Sequence, residues 1–93
     1  MDIRFYMDPD SGNPHIWQHD VAEEDVEDVL DNPGEDRPGR EGSRVAIGQT
    51  RAGRYLRVIY VAEADVPFVI TAYELKGKPL LAYRRRRRRT RGQ

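Results

Sequence analysis

The chain has 93 residues, no cysteine and a formal net charge of zero. That length suits one domain with a modest core, and the lack of thiols excludes disulfides and thiolate metal sites. No apolar run reaches the length of a membrane span and the N-terminus MDIRFYMDPD has no signal-peptide core, so a soluble cytoplasmic protein that does not engage membranes is expected. The neutrality is a balance of opposites. Residues 1–36 hold twelve acids against one base, Arg4, and residues 37–93 hold fifteen bases against four acids. Such a chain either folds its acidic half against its basic half or shows separate faces to separate partners.

In chain order, Asp2 to Met7 alternates polar and apolar residues and predicts a short edge strand. Asp8 to Pro14 is dense in turn formers and predicts a loop. His15-Ile16-Trp17-Gln18-His19 follows, with the only tryptophan, and Trp17 is expected to anchor the core. His15 and His19 stand four apart, but two imidazoles without a third ligand make a poor metal site, so no metal or other cofactor is expected. Val21 to Asp31 (VAEEDVEDVLD) predicts a helix capped by Asp20. Its apolar stripe is Ala22, Val26, Val29 and Leu30, its outer face is almost wholly acidic, and Asn32-Pro33-Gly34 ends it. Glu35 to Gly42 is polar with Pro and Gly, and predicts a mobile loop.

The stretch Arg44 to Tyr73 predicts a three-stranded antiparallel meander, with strands near Arg44–Thr50, Tyr55–Ala62 and Phe68–Leu75. A hairpin turn falls at Ala52-Gly53 and a solvated break runs from Ala62 to Pro67. Alternation places Leu56, Val58, Phe68, Ile70 and Ala72 against the acidic helix, and Tyr55, Arg57, Thr71 and Tyr73 on the other face. Beyond Gly77 and Lys78, Pro79 suits a helix start, and Leu80, Leu81 and Tyr83 can pack its first turns. The six arginines Arg84 to Arg89, with Arg91, offer no apolar face. The expected organisation is a single α+β domain over residues 1–83 and an arginine-rich tail over 84–93, either a short basic helix that frays or an extended arm.

The arginine run is the strongest chemical signal. Guanidinium groups bind phosphate bidentately and stack on bases, so Arg84, Arg85, Arg86, Arg87, Arg88, Arg89 and Arg91 are the expected nucleic-acid contacts, with RNA as the first partner. An acidic protein partner and self-neutralisation by the acidic helix are the rivals. No amphipathic helix supports a membrane surface.

The edge strand, the helix entered through His-Asp-Val-Ala-Glu-Glu, and the strands RVAIGQTRAGRYLRVIYV and FVITAY resemble the small toxins of the RelE/ParE superfamily. BrnT-type toxins and related small bacterial proteins are the nearest branch. The residues carrying the likeness are His19-x-Val21, Ile47-Gly48-x-Thr50, Gly53-Arg54-x-Leu56-x-Val58-x-Tyr60 and Ile70-x-Ala72, across roughly residues 15 to 75. The resemblance implies a compact α+β fold with helices on one sheet face, and an endoribonuclease acting on messenger RNA, on or off the ribosome, silenced by a cognate antitoxin. The chain departs from that pattern where Tyr73 stands in place of an expected arginine and where LKGKPLLAYRRRRRR replaces a glutamate-bearing helix.

For such a ribonuclease the 2′-hydroxyl attacks the adjacent phosphate in line, with a base, an acid and fixed cations and no metal. Arg57 is the expected phosphate stabiliser, assisted by Arg54 or Arg84. Tyr73 is the expected positioning group or proton donor. His19 has the side chain whose ordinary pKa suits proton transfer. Each has a plainer reading as a solvated, packing or helix-entry residue. The alternatives are a non-catalytic RNA- or ribosome-binding module that keeps the fold, and a protein whose basic tail meets an acidic chain.

Overall fold

A computed structural model describes residues 2–63 and 65–91, with side chains as far as Arg89. It is an α+β fold of five strands and two helices: β1 (Arg4–Phe5), α1 (Glu23–Asp31), β2 (Glu35–Pro38), β3 (Arg44–Gln49), β4 (Tyr55–Glu63), β5 (Val66–Glu74) and α2 (Gly77–Arg91). Short 3-10 turns occupy His15–His19 and Arg40–Gly42. The strands form one mixed sheet in the order β1-β5-β4-β3-β2. The three long strands make the expected antiparallel meander, and β1 joins its edge parallel to β5. No helix among the described residues is long and apolar enough to cross a membrane.

One face of the sheet carries the main core. Leu56, Val58, Val69 and Ala72 are fully buried there with Val26 and Val29 of α1, and Ile16 and Val21 join them. Burying a side chain of this size contributes about 1.5–3 kcal/mol. The close approach of α1 to β3 depends on Gly48, where an added Cβ would stand 3.3 Å from Val29 Cγ1. The helix begins later than its apolar pattern suggests. Ala22 is its exposed N-cap, not part of the stripe, and its amide donates to Asp25 Oδ2 at 3.0 Å. Val21 and Val26 occupy the two positions of a hydrophobic staple around that cap. Asp20 is not the cap; it closes the preceding 3-10 turn in a left-handed conformation.

Three expectations about this face are corrected. Trp17 is half exposed, its Nε1 donating to Glu23 Oε1 at 2.8 Å, and Ile16 at 1% exposure is the anchor instead. Ile70 is exposed and Phe68 only partly buried, whereas Val69 is fully buried. The cause is a bulge: Ile59 pairs with Thr71 but Tyr60 pairs with Val69, so Ile70 is the extra residue and alternation reverses across it. Glu35 to Pro38 is not a loop but β2, paired with β3. This strand has no apolar side chain facing the core and is held by charge. Asp36 accepts from Tyr60 Oη at 2.6 Å and from Arg44 Nε at 2.9 Å on the α1 face. Burial, with the Asp36 hydrogen bond behind it, pushes the Tyr60 hydroxyl above the usual phenol range.

The opposite face carries a second, smaller cluster, in which Tyr83 and Leu80 of α2 pack with Val45, Ile47, Tyr55 and Leu75. The two helices therefore lie on opposite faces, where the resemblance implies one. The α2 helix continues through the arginines, so the boundary expected at residue 84 falls inside it. Its second half is fastened by Arg86, which donates Nε and Nη2 to the two Glu35 carboxylate oxygens at 2.6 and 2.9 Å. The Arg86 hydrogen bond holds the Glu35 carboxyl below its ordinary value despite the opposing cost of burial. At the same place Gly34 meets Tyr83: an added Cβ would lie 1.9 Å from Tyr83 Oη and 2.9 Å from Cζ.

Three outcomes are expected from this packing. Ile16→Ala should cost about 2–5 kcal/mol of unfolding free energy, and Trp17→Ala under about 1 kcal/mol, in chemical denaturation. Gly34→Ala should destabilise by about 1–3 kcal/mol, with partial recovery in the double variant carrying Tyr83→Phe, because Oη is the nearest but not the sole obstacle. The depressed Glu35 pKa means that its stabilisation is complete above the ordinary glutamate value and is lost as pH falls through the lowered one. Glu35→Gln should thus melt roughly 4–8 °C below the parent at neutral pH, for a pair worth about 1 kcal/mol after solvent screening of Arg86. Once the pH has fallen below the lowered Glu35 value the two melting curves should converge.

Candidate functional site

The α2 face of the sheet brings three of the four expected catalytic residues together. Antiparallel register sets Arg57 of β4 directly beside Tyr73 of β5, and the Ile59–Thr71 pair, two steps along, places Thr71 on the same face. Arg57 is half-buried, and its Nε is enclosed without a hydrogen-bond partner; Thr71 Oγ1 is in the same condition. A buried donor left unpaired costs about 1–3 kcal/mol, and these two atoms lie two residue pairs apart on the same face. His19 reaches Tyr73 from the 3-10 turn beside β5, with ring centroids 6.0 Å apart. His15 continues the line at 5.2 Å from His19 and turns its Nδ1 to Asp8 Oδ1 at 2.9 Å. His19 itself is solvent-exposed.

Arg54 stands apart from this group. Its Nη1 donates to the Asp20 carbonyl at 2.9 Å and approaches Asp25 at 3.5 Å, while Nη2 approaches Glu74 at 3.4 Å. It joins the start of α1 to the end of β5, and its charge is occupied there. Among the described residues, no group of three or more His, Cys, Asp or Glu side chains is arranged to hold a metal ion.

The arginine run is sorted by helical geometry. Arg86 is spent on Glu35, and Arg87 donates Nη1 to the Gly34 carbonyl at 2.9 Å. Arg84 lies over the Tyr55 ring, 5.9 Å from its centroid. Arg85, Arg88 and Arg89 are exposed. The side chain of Arg91 lies outside the described residues. Among the described residues, Arg84, Arg87 and Arg88 form no ion pair with a carboxylate. These three line a cleft of about 480 Å³ together with Tyr55, Tyr83 and the Asn32–Gly34 connection. The Tyr55 and Tyr83 rings meet edge to face at 6.0 Å. Burial pushes the Tyr83 hydroxyl up, with the nearby Arg87 charge opposing.

Tyr55 and Arg57 are two residues apart on one strand and share a face, so cleft and Arg57–Tyr73 pair lie about 7 Å apart along β4. Period-two reading had already placed Tyr55 on this face. What it lacked was the partner: only the return of α2 across the sheet turns Tyr55 into a cleft wall. Thr71 was legible in the same way, as a neighbour of Arg57 on the face, but its enclosure was not.

No curated protein and no solved structure matches the chain. Residues 16–74 match the family described as Domain of unknown function (DUF4258). The matched span runs from the 3-10 turn through β5, taking in His19, Arg54, Arg57 and Tyr73 and leaving β1 and α2 outside. More than half of the chain is covered, and the protein belongs to the DUF4258 family.

Proposed function

We propose that the protein is a toxin-like RNA-binding protein of the RelE/ParE type, and that it cleaves messenger RNA by a metal-independent endoribonuclease reaction. The observation that carries this reading is the pairing of Arg57 with Tyr73 in register, with Arg57 Nε enclosed and unpartnered and the His19 ring against Tyr73. An RNA strand drawn to the α2 arginines would lay a phosphate beside Arg57. His19 takes the 2′-hydroxyl proton, the oxygen attacks phosphorus, and the 5′-oxygen leaves with a proton supplied by Tyr73. Arg57 stabilises the charge that builds on the phosphoryl oxygens. A cognate antitoxin would silence the site, and the acidic outer face of α1 is available to a basic partner.

A second reading is a non-catalytic RNA- or ribosome-binding module. It is favoured by the separate position of the arginine-lined cleft, which needs nothing from Arg57 or Tyr73 to attract a phosphate backbone.

Labelled single-stranded RNA, with and without ribosomes and with EDTA present, separates the two. The ribonuclease reading expects discrete products from the parent protein, about 10²-fold less cleavage by Arg57→Ala or Tyr73→Phe, and RNA binding retained by both variants. Salt-sensitive gel shifts without cleavage by the parent would overturn it in favour of the binding module. In either case removing Arg88 should reduce the salt slope of binding by about 1.

A further inference from the structure

The cleft beside α2 has features that attraction to a phosphate backbone does not require. Its volume of about 480 Å³ lies within the roughly 300–1,000 Å³ range of ligand pockets. Its wall is aromatic as well as cationic: Tyr55 stands edge to face with buried Tyr83, and the Arg84 guanidinium lies 5.9 Å from the Tyr55 ring centroid. Arg87 is positioned by the Gly34 carbonyl, and Arg88 stands exposed at the rim. A ring braced edge-on by a second ring, with a planar cation 5.9 Å from its centre, offers a base both an aromatic and a guanidinium surface to stack on. Two further guanidiniums beside it are a phosphate clamp.

We propose that this cleft is a single-nucleotide subsite, in which one unstacked base of single-stranded RNA stacks against the Tyr55–Arg84 pair while Arg87 and Arg88 take its phosphate. The inference rests on the RNA-binding reading and adds to it a base-recognising position separate from Arg57, Tyr73 and His19. Duplex RNA keeps its bases stacked inside and cannot fill the site, so the ligand is single-stranded. With this nucleotide seated, the strand continuing along β4 reaches Arg57 within about 7 Å, the rise of two strand residues. The subsite therefore sets register for the phosphate that would be cleaved.

The test compares two fluorescent hexamers, an ordinary oligoribonucleotide and one with the same backbone but abasic at every position, titrated into the full chain. Tyr55→Leu should weaken the ordinary hexamer about tenfold and the abasic one less than twofold, whereas Tyr55→Phe should bind both as the parent does. Arg88→Gln should weaken both hexamers by the same factor. The ratio of the two affinities is the readout, since a partly unfolded variant lowers both alike and leaves the ratio unchanged. Equal loss on both hexamers in Tyr55→Leu, or no loss, would overturn the subsite while leaving RNA binding intact. Failure of the parent to bind either hexamer would overturn the RNA reading and the subsite with it.

Discussion

The Tyr83 hydroxyl occupies the space in which any residue but glycine at position 34 would carry its Cβ. Because Gly34 leaves that space open, α2 can come down on the end of the sheet, and the amide of the same glycine donates to the Ile47 carbonyl at 2.8 Å. Tyr83, Leu80 and Leu75 then bury the second face of β3 and β4. The Glu35–Arg86 pair and the Arg87 bond to the Gly34 carbonyl follow one turn later. Remove this approach and β2 loses one of its two charge clamps, the cleft loses a wall, and the arginines lose the geometry that sorts them. Dispersion and burial at Tyr83 supply the energy, and the ion pairs supply direction, since partly exposed pairs contribute little on their own.

Part of the opposite charge of the two halves of the chain is settled within the fold. Arg54 meets Asp25, Arg51 meets Asp28, Arg44 meets Asp36 and Arg86 meets Glu35, each pair joining an acid from the first 36 residues to a base from the rest. Neutralisation is uneven, however. It is concentrated at the seams where α1, β2 and the hairpin meet, and it leaves the α2 face basic at the cleft. A separation of charge that is plain along the chain is thus converted into local pairing at structural joints and a residual cationic surface at one end of the sheet.

The parts of the fold that were legible in the sequence are those where burial and alternation agree. The β3–β4 hairpin at Gly53, the β4–β5 pairing from Leu56–Glu74 to Ile59–Thr71 and the Val26–Val29 stripe are of this kind, because each presents a repeating apolar signal that a half-buried element requires; the solvated break expected from Ala62 to Pro67 is instead paired strand, Ala62 with Pro67 and Glu63 with Val66. The failures have separate physical causes. An extra residue at Ile70 reverses parity without changing composition, so no count of apolar residues reveals it. The strand β2 is polar because it is an edge held by side-chain charge, which resembles a loop when its partners are unknown. Trp17 misled because a large aromatic can lie on the surface with its Nε1 engaged, while the smaller Ile16 fills the core. For the site, Arg57, Tyr73 and His19 could be named from residue type and strand parity, and the enclosure of Arg57 Nε could not, since it depends on what the rest of the face covers.

Six consecutive arginines are chemically identical, and only the α2 helix makes them different. At 3.6 residues per turn, Arg84 and Arg87 fall on one side with Leu80, Arg85 and Arg89 fall on the outer side with Leu81, and Arg88 stands at the border between them. Leu81 is 58% exposed, in keeping with that outward side. An extended arm would give all six the same role, neutralising phosphates in proportion to their number. In the helix one is spent on Glu35, one on a backbone carbonyl and one on an aromatic ring, so their contributions to binding must be unequal. The helix also shortens the reach of the run from that of extended chain to about 1.5 Å per residue, which confines its positive charge to the neighbourhood of Tyr55 and the end of β4. A tail that could have bound any polyanion indiscriminately is thereby tied to one edge of one sheet face, the same face that carries Arg57 and Tyr73.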